Sequence, residues 1–278
     1  MTGRAPGTRL PLLVGALSRP VAWRDGKAIR AGVFLAHVRR VAALLPDAES
    51  AVNLCEDRYA FLVAFAALLV RGQTNLLPPS RAPHAVDEAM SGHPGSYAIG
   101  ELDLTPAPAG YVRMPSLADD EVPEQSVPTI AADAIAAIGY TSGSTGRPKP
   151  NVKTWGSFVA SNAGNADMLD RTIGGSFDVV ATVPPQHMYG MEMSVLMPLL
   201  SAVSVHAGRP FFPADVATAL ASMPEPRVLV TTPVHLRALV ESGVALPTLA
   251  AFVSATAPMP VELAAAAEQR FGAPLYEV

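Results

Sequence analysis

The segment that decides the fold comprises residues 135–149 and reads IAAIGYTSGSTGRPK. Its first six residues form a short apolar run, which is typical of a buried strand. The nine residues that follow contain four hydroxyl side chains, two glycines and one lysine. Glycines allow successive backbone N–H groups to turn toward an anion, the hydroxyls add hydrogen-bond donors, and the lysine adds a positive charge. The loop is therefore predicted to bind a polyphosphate.

Two better-known phosphate-binding patterns do not fit this loop. A Walker loop places its lysine directly after the second glycine, whereas Arg147 and Pro148 separate Gly146 from Lys149. The dinucleotide fingerprint G-x-G-x-x-G is absent as well. A flexible Ser/Thr/Gly linker would have a similar composition. This loop, however, follows a buried-looking strand directly, and two of the three lysines of the chain, Lys149 and Lys153, lie beside it.

Strand-like and helix-like segments alternate along most of the chain. This alternation predicts βαβ units and the α/β class, with a mainly parallel sheet covered by helices on both faces. An amphipathic helix is predicted over residues 29–45, a proline-rich surface connection over 105–128, and a last strand over 274–278. The predicted strand and helix pairs are 51–55 with 57–70, 179–183 with 189–200, 203–206 with 213–222, 228–231 with 233–242, and 252–254 with 261–270.

Composition argues against several classes of function. The chain has 20 Lys and Arg residues against 24 Asp and Glu residues and no dense basic run, so nucleic acid is not expected as a partner. Cys55 is the only cysteine, which excludes an internal disulfide and fits a reducing cytoplasm.

The longest apolar run, residues 59–70, is well short of the roughly 20 residues of a membrane-spanning helix, and a buried core helix is predicted there. Residues 10–17 loosely resemble a secretion signal but lack a clear cleavage site, so we expect them in the folded chain.

Residues 140–149 resemble the signature phosphate loop of the AMP-forming adenylating superfamily almost letter for letter. This superfamily contains acyl-CoA synthetases, aryl-CoA ligases, luciferases and the adenylation domains of peptide synthetases. Its loop holds the β and γ phosphates of ATP while the carboxylate of the substrate attacks the α phosphate. The resemblance implies a catalytic role for Lys149, which would draw charge off the departing pyrophosphate. The ATP-binding residues that it implies in this loop are Thr141, Ser142, Gly143, Ser144, Thr145, Gly146 and Lys149.

Two later segments resemble the same superfamily. Residues 184–190, PPQHMYG, are similar to the P-x-x-H-x-x-G segment that borders the acyl pocket in its acyl and aryl ligases. The resemblance implies that His187, Tyr189 and Gly190 bind the acid and that His187 is catalytic. Peptide-synthetase domains carry an aspartate-bearing segment here, so an acyl or aryl acid is expected rather than an amino acid. Residues 254–259, SATAPM, resemble the S-G-A-A-P-L loop that lines the adenine and acyl sites, which implies nucleotide-binding roles for Ala255, Thr256, Ala257 and Pro258.

The resemblance also implies the domain organisation. It predicts two packed, mainly parallel sheets with flanking helices, with the acid and ATP in the groove between them. Residues 1–130 would be the first part of an adenylating N-terminal domain, and residues 131–278 would carry the phosphate loop and a second α/β subdomain. The sequence departs from the family at Pro150, where glycine is common, and it ends before the Tyr-Gly-x-Thr-Glu motif. We therefore expect an incomplete portion without a C-terminal domain, inactive alone, with the Mg²⁺-binding glutamate beyond residue 278.

The implied reaction converts a small carboxylic acid and MgATP into an acyl-adenylate and pyrophosphate, followed by transfer to a thiol. The acceptor would be CoA or the phosphopantetheine arm of an acyl carrier protein, and the sequence leaves both open. A non-catalytic nucleotide-binding or partner-dependent protein is the main alternative. A hydrolase that uses the loop serines as nucleophiles is a third, but no general base accompanies them at a known motif spacing.

The remaining histidines and methionines are weaker candidates. His37 lies on the apolar stripe of its predicted helix and is expected to be a core residue. No pair of histidines has the spacing of a metal site. Core packing and a pocket wall are equally compatible with the sequence for Met188, Met191, Met193 and Met197.

Overall fold

The computed structural model describes residues 7–118, 121–141 and 149–278, and at Thr141 it describes the backbone alone. The strands are β1 (Arg9–Pro11), β2 (Pro20–Arg24), β3 (Lys27–Arg30), β4 (Ser50–Asn53), β5 (Thr74–Leu77), β6 (Tyr97–Gly100), β7 (Val112–Arg113), β8 (Thr129–Ala131), β9 (Ile135–Thr141), β10 (Lys149–Thr154), β11 (Asp178–Ala181), β12 (Ser204–His206), β13 (Arg227–Thr231), β14 (Ala251–Ser254) and β15 (Leu275–Glu277). The helices are α1 (Ala31–Ala42), α2 (Arg58–Val70), α3 (Pro83–Ser91), α4 (Trp155–Ile173), α5 (Met188–Met191), α6 (Met197–Leu200), α7 (Pro213–Ala221), α8 (Pro233–Glu241) and α9 (Val261–Phe271). A π-helical stretch, Glu192–Leu196, joins α5 to α6.

Two large sheets organise the described part of the chain. The first has the strand order β10-β9-β5-β4-β6-β7 and is parallel except for the β9–β10 pair. The second has the order β15-β14-β13-β11-β12-β2-β3 and is parallel except for the β2–β3 pair. The short strands β1 and β8 form a separate antiparallel pair. The α/β class and the two mainly parallel sheets expected from the sequence are confirmed.

Each sheet takes strands from both halves of the chain. The hairpin β2–β3 comes from the start of the chain and joins the edge of the second sheet through β12. The hairpin β9–β10 follows the proline-rich connection and joins the first sheet through β5. Residues of both sheets belong to the same large hydrophobic core.

Helix α2 is the buried core helix predicted over residues 59–70. Its first twelve residues are all buried, and a helix that is apolar all round is stable only in such a position. The carboxylate of Asp57 caps the helix by accepting a hydrogen bond from the N–H of Ala60 at 2.8 Å. The helix ends before Gly72, whose φ of 71° is accessible to glycine at little cost.

Helices α7, α8 and α9 cover one face of the second sheet. Their apolar residues Val216, Leu236 and Leu263 belong to the same cluster as Leu229 of β13 and Phe252 of β14. Each helix follows a strand of this sheet and precedes the next one, which is the βαβ arrangement predicted from residues 203–270. Their N-termini therefore lie at the edge of the sheet where the strands end.

The burial of individual side chains tests the expectations for His37 and for residues 10–17. His37 is fully buried, and its ring nitrogens contact the Tyr59 hydroxyl at 2.6 Å and the Ala118 carbonyl at 2.8 Å, which confirms the core interpretation. Leu12 and Leu13 are buried in the main core. No helix in the described ranges is both long enough and apolar enough to cross a membrane.

Candidate functional site

A cavity of about 320 Å³ lies where strands of both sheets end. It is reached by residues that follow β5, by the last part of β9, and by the segment that follows β11. Ligands of open α/β sheets collect at this edge because the loops that leave parallel strands converge there. The lining residues are Leu77, Pro78, Pro79, Gly139, Tyr140, Asn151, Gln186, His187 and Met188.

The predicted phosphate loop is flanked by two paired strand ends. Thr141 ends β9, Lys149 begins β10, and the two are direct partners in the antiparallel register. Lys149 is exposed and forms no ion pair with a described residue. Residues 142–148 lie outside the described residues, and with them the predicted phosphate ligands Ser142, Gly143, Ser144, Thr145 and Gly146. The described flanks adjoin the cavity, because Gly139, Tyr140 and Asn151 line it.

His187 stands at the rim of the cavity as the N-cap residue of α5. Its side chain keeps contact with solvent, and its imidazole forms no hydrogen bond with a described residue. Partial desolvation lowers its pKa, and the positive charges of Arg81 and Arg209 lower it further. The imidazole is therefore neutral at neutral pH and able to exchange a hydrogen bond with a bound molecule.

Tyr189 connects the His187 segment to the end of β14. Its hydroxyl donates a hydrogen bond to the Val253 carbonyl at 2.7 Å, and burial raises its pKa. The segment carrying His187 therefore lies against the strand that leads into Ala255. Tyr189 is not among the residues that line the cavity, and its contact with the acid stays a prediction.

Gly190 is a glycine because the chain passes too close to itself here for a side chain. A Cβ atom at this position would lie 2.0 Å from the Pro184 carbonyl oxygen and 2.8 Å from the Pro184 carbonyl carbon. This packing accounts for the last glycine of P-x-x-H-x-x-G in structural terms. Contact between Gly190 and the acid stays a prediction.

Residues 255–258 follow β14 at the same edge of the second sheet. Ala255 is buried, whereas Thr256, Ala257 and Pro258 are exposed. Thr256 has a φ of 82°, a conformation that β-branched residues rarely adopt. Strain of this kind concentrates at functional sites.

Replacing Thr256 with glycine should remove this strain. We expect the free energy of unfolding to rise by about 1 kcal/mol, measured by chemical denaturation. The control is Thr248→Gly, at an exposed loop threonine without a positive φ, which should lose stability instead. A Thr256→Gly variant that is less stable than the original protein would show that the threonine side chain contributes more than its backbone strain costs.

The structure adds residues that sequence reasoning missed. His235 of α8 contacts the Thr182 hydroxyl through Nδ1 at 2.8 Å, and Thr182 contacts the Thr231 hydroxyl at 3.1 Å. These two hydrogen bonds link the residue that follows β11 to the last residue of β13 and to α8. Arg58 of α2 reaches the same region. The only sequence signal was a hydroxyl residue at the end of each strand, which is too common to single these residues out.

The methionines of the 188–197 region divide between the core and the cavity. Met191, Met193 and Met197 are at most 1% exposed and belong to the main core. Met188 lines the cavity, where its Cε atom lies 3.4 Å from the position of a Cβ at Gly139. Core packing therefore accounts for Met191, Met193 and Met197, whereas Met188 contributes to the wall of the cavity.

Known proteins resemble this chain in sequence and in fold. The sequence model of the family described as AMP-binding enzyme matches residues 36–278. The chain belongs to this family.

A curated relative and two solved structures are also similar to this chain. A 4-coumarate–CoA ligase of Rhodobacter capsulatus is 32% identical over 131 residues, which are 46% of this chain and only 33% of that protein's length. O-succinylbenzoate Coenzyme A synthetase from Bacillus subtilis, in complex with AMP, superposes with a TM-score of 0.77 at 17% identity, over 96% of this chain and 73% of that one. A benzoate CoA ligase from Burkholderia xenovorans LB400 gives 0.66 at 17% identity, over 94% and 57%. At these identities the superpositions establish a shared fold.

The described residues offer no evident metal site. They contain no group of three or more His, Cys, Asp or Glu side chains that could hold a metal ion.

We expect the protein to lose stability in mild acid because three histidines near the carboxyl ends of the strands have lowered pKa values. Burial is the main cause that lowers the pKa of His187, His206 and His235 below the ordinary value of 6.5. The unfolded chain therefore binds protons first as the pH falls below 6.5, and folding stability is lost. We expect the Tm to fall by several degrees between about pH 7 and about pH 5.5. Burial raises the pKa of Asp57 and Asp178, which act in the opposite direction at lower pH.

The control for this pH dependence is a variant with all three histidines replaced by glutamine. It should lose less Tm over the same interval, because glutamine does not titrate. An unchanged Tm across the interval in the original protein would contradict the direction of the pKa shifts.

Proposed function

We propose that this protein activates an acyl or aryl carboxylic acid with ATP, forming an acyl-adenylate and pyrophosphate. The observation that carries the proposal is the cavity that adjoins both the flanks of the phosphate loop and His187. Membership of the AMP-binding enzyme family supports it. The second step would transfer the acyl group to the thiol of CoA or of a carrier protein, with release of AMP. We assign the reaction to the cytoplasm, where a protein with one cysteine stays reduced.

The chemistry follows from the charges that change during the first step. A carboxylate oxygen attacks the α phosphorus, the bond from this phosphorus to the bridging oxygen breaks, and pyrophosphate leaves with the bonding electrons. Lys149 and the neighbouring N–H and hydroxyl groups stabilise the charge that builds up on the leaving group. The protein otherwise contributes mainly by holding the two reactants in line.

The acid is assigned to the side of the cavity formed by His187 and Met188. A volume of about 320 Å³ lies at the lower end of the range for small-molecule sites. Pro78, Pro79 and Gly139 also line the cavity and add apolar surface to it, which suits a small aryl or short acyl group. The neutral imidazole of His187 is suited to donate a hydrogen bond to, or accept one from, the acid. Residues 131–278 thus supply most of the proposed contacts.

The test is acid-dependent exchange of labelled pyrophosphate into ATP. A panel of benzoates, short and long fatty acids and amino acids should give exchange with aryl or acyl acids and not with amino acids. Exchange that occurs without any acid, or tight ATP binding without exchange for the whole panel, would favour a nucleotide-binding role instead.

A further inference from the structure

A buried arginine extends from helix α2 to the segment that carries His187. Arg58 is fully buried at the start of α2. Its Nη2 donates to the Ala181 carbonyl at 2.7 Å and to the Val183 carbonyl at 2.8 Å. Its Nη1 donates to the Ser194 hydroxyl, which in turn donates to the Gly190 carbonyl at 2.6 Å.

These contacts hold both ends of one segment. The Val183 carbonyl lies just before the PPQHMYG segment, and the Gly190 carbonyl is its last acceptor. One guanidinium therefore fixes, directly or through Ser194, the two points between which His187 projects toward the cavity. We propose that Arg58 is a positioning residue for the acid site, acting through the main chain of residues 183–190. This inference rests on the proposed function for its link to acid binding.

The base of the Arg58 side chain is itself held firmly. Asp57 caps α2, and one carboxylate oxygen of Glu101 accepts hydrogen bonds from the N–H groups of Glu56 at 2.8 Å and Asp57 at 2.7 Å. Glu101 directly follows β6 of the first sheet. Hydrogen bonds to Glu101 thus fix the main chain directly before Arg58, and hydrogen bonds from the Arg58 side chain reach the His187 segment. The rigidity of this arrangement would be transmitted to His187.

An arginine at position 58 indicates that this place in the fold requires the hydrogen-bond geometry of a guanidinium rather than an ion pair with a carboxylate. Among the described residues the guanidinium donates to carbonyl and hydroxyl oxygens and forms no ion pair, and burial lowers its pKa to about 9. A buried cation without a carboxylate partner is costly, whereas an apolar side chain could fill the space. Arginine offers a planar fork that reaches several oxygens at once, which lysine cannot do.

Arg19 provides a matched control elsewhere in the fold. Its guanidinium also donates to carbonyl oxygens, those of Val14 at 2.8 Å, Pro20 at 3.0 Å and Pro198 at 2.7 Å. Burial lowers its pKa as well, to about 10. Its hydrogen bonds reach no residue between 181 and 194. Arg58→Lys and Arg19→Lys therefore remove the same kind of contact at two different places.

The experiment combines hydrogen–deuterium exchange of the substrate-free protein with pyrophosphate-exchange kinetics. Arg58→Lys should speed amide exchange of residues 182–191 by about tenfold or more and raise the KM of the best acid by about tenfold, with the KM for ATP within about twofold. Arg19→Lys should leave both quantities near their original values at a comparable loss of Tm. Equal effects of the two variants, or an unchanged segment 182–191 in Arg58→Lys, would overturn the proposal.

A second variant covers the case in which Arg58→Lys does not fold. Ser194→Ala removes only the branch to Gly190, and it should speed exchange near residue 190 and raise the acid KM by about threefold. No change in either quantity would overturn the role of this branch. If no acid supports activity in the original protein, the proposed function fails by itself. The rigid-segment claim is then decided by the substrate-free exchange measurement alone.

Discussion

Replacing Lys149 with alanine is expected to lower acid-dependent pyrophosphate exchange by about 100- to 1,000-fold, the usual effect of removing a group aimed at developing charge. Lys149 begins β10 directly opposite the last residue of β9. It forms no ion pair with a described residue, so its charge is available to a ligand of the loop. The measurement is the exchange rate at saturating acid, because the loss should appear in kcat rather than in the KM of the acid.

Lys153 supplies the control for this substitution. It lies on the same strand four residues further along, away from the strand end that flanks the loop. Lys153→Ala should keep exchange within about threefold of the original rate. Similar losses in the two variants would indicate a general electrostatic effect. Undiminished exchange in Lys149→Ala would remove the assigned role altogether.

Replacing Gly190 with alanine should destabilise the protein by roughly 3 kcal/mol or more, a large effect for one methyl group. The added Cβ would lie 2.0 Å from the Pro184 carbonyl oxygen, and the atoms around it are main chain rather than a flexible side chain. The segment 184–190 must therefore shift, and the Ser194 contact to the Gly190 carbonyl shifts with it. Urea unfolding monitored by far-UV circular dichroism measures the loss.

Gly164 is the matched glycine without such neighbours. It lies on the exposed side of α4, and a Cβ there would meet no atom within 4 Å. Gly164→Ala should stabilise the protein by about 0.5–1 kcal/mol through helix propensity. A Gly190→Ala variant as stable as Gly164→Ala would show that the close approach to Pro184 is incorrect.

The fold was largely predictable because its local patterns are strong. Beyond Arg58, helix α2 is apolar on every side, and the strands β11 to β14 are short, mainly apolar runs that alternate with helices. Strand β10 was not predicted from the sequence. Its residues, KPNVKT, include a proline and lack the alternation of apolar and polar residues that indicates a strand. Its place at the edge of the first sheet explains why a proline is tolerated there. Likewise, the membership of β2 and β3 in the second sheet depends on pairing with β12, far along the chain.

Some residues of the candidate site could likewise be predicted from local sequence patterns, and others could not. The His187 segment and residues 255–258 could be named from sequence because each follows a strand and resembles a known motif. Arg58 could not, because its partners Ala181, Val183 and Ser194 are more than 120 residues away in the chain. Contacts across such distances exist only once both sheets are assembled, and no local pattern records them.

The fate of the carboxylate oxygens shows whether the protein activates an acid as its adenylate. The acid is labelled with ¹⁸O in both carboxylate oxygens and incubated with the protein, MgATP and the acceptor thiol, and the products are examined by mass spectrometry. Attack by the carboxylate on the α phosphorus predicts AMP that carries one ¹⁸O atom, together with unlabelled pyrophosphate. Label in orthophosphate with formation of ADP, or consumption of ATP with unlabelled AMP, would contradict formation of an acyl-adenylate.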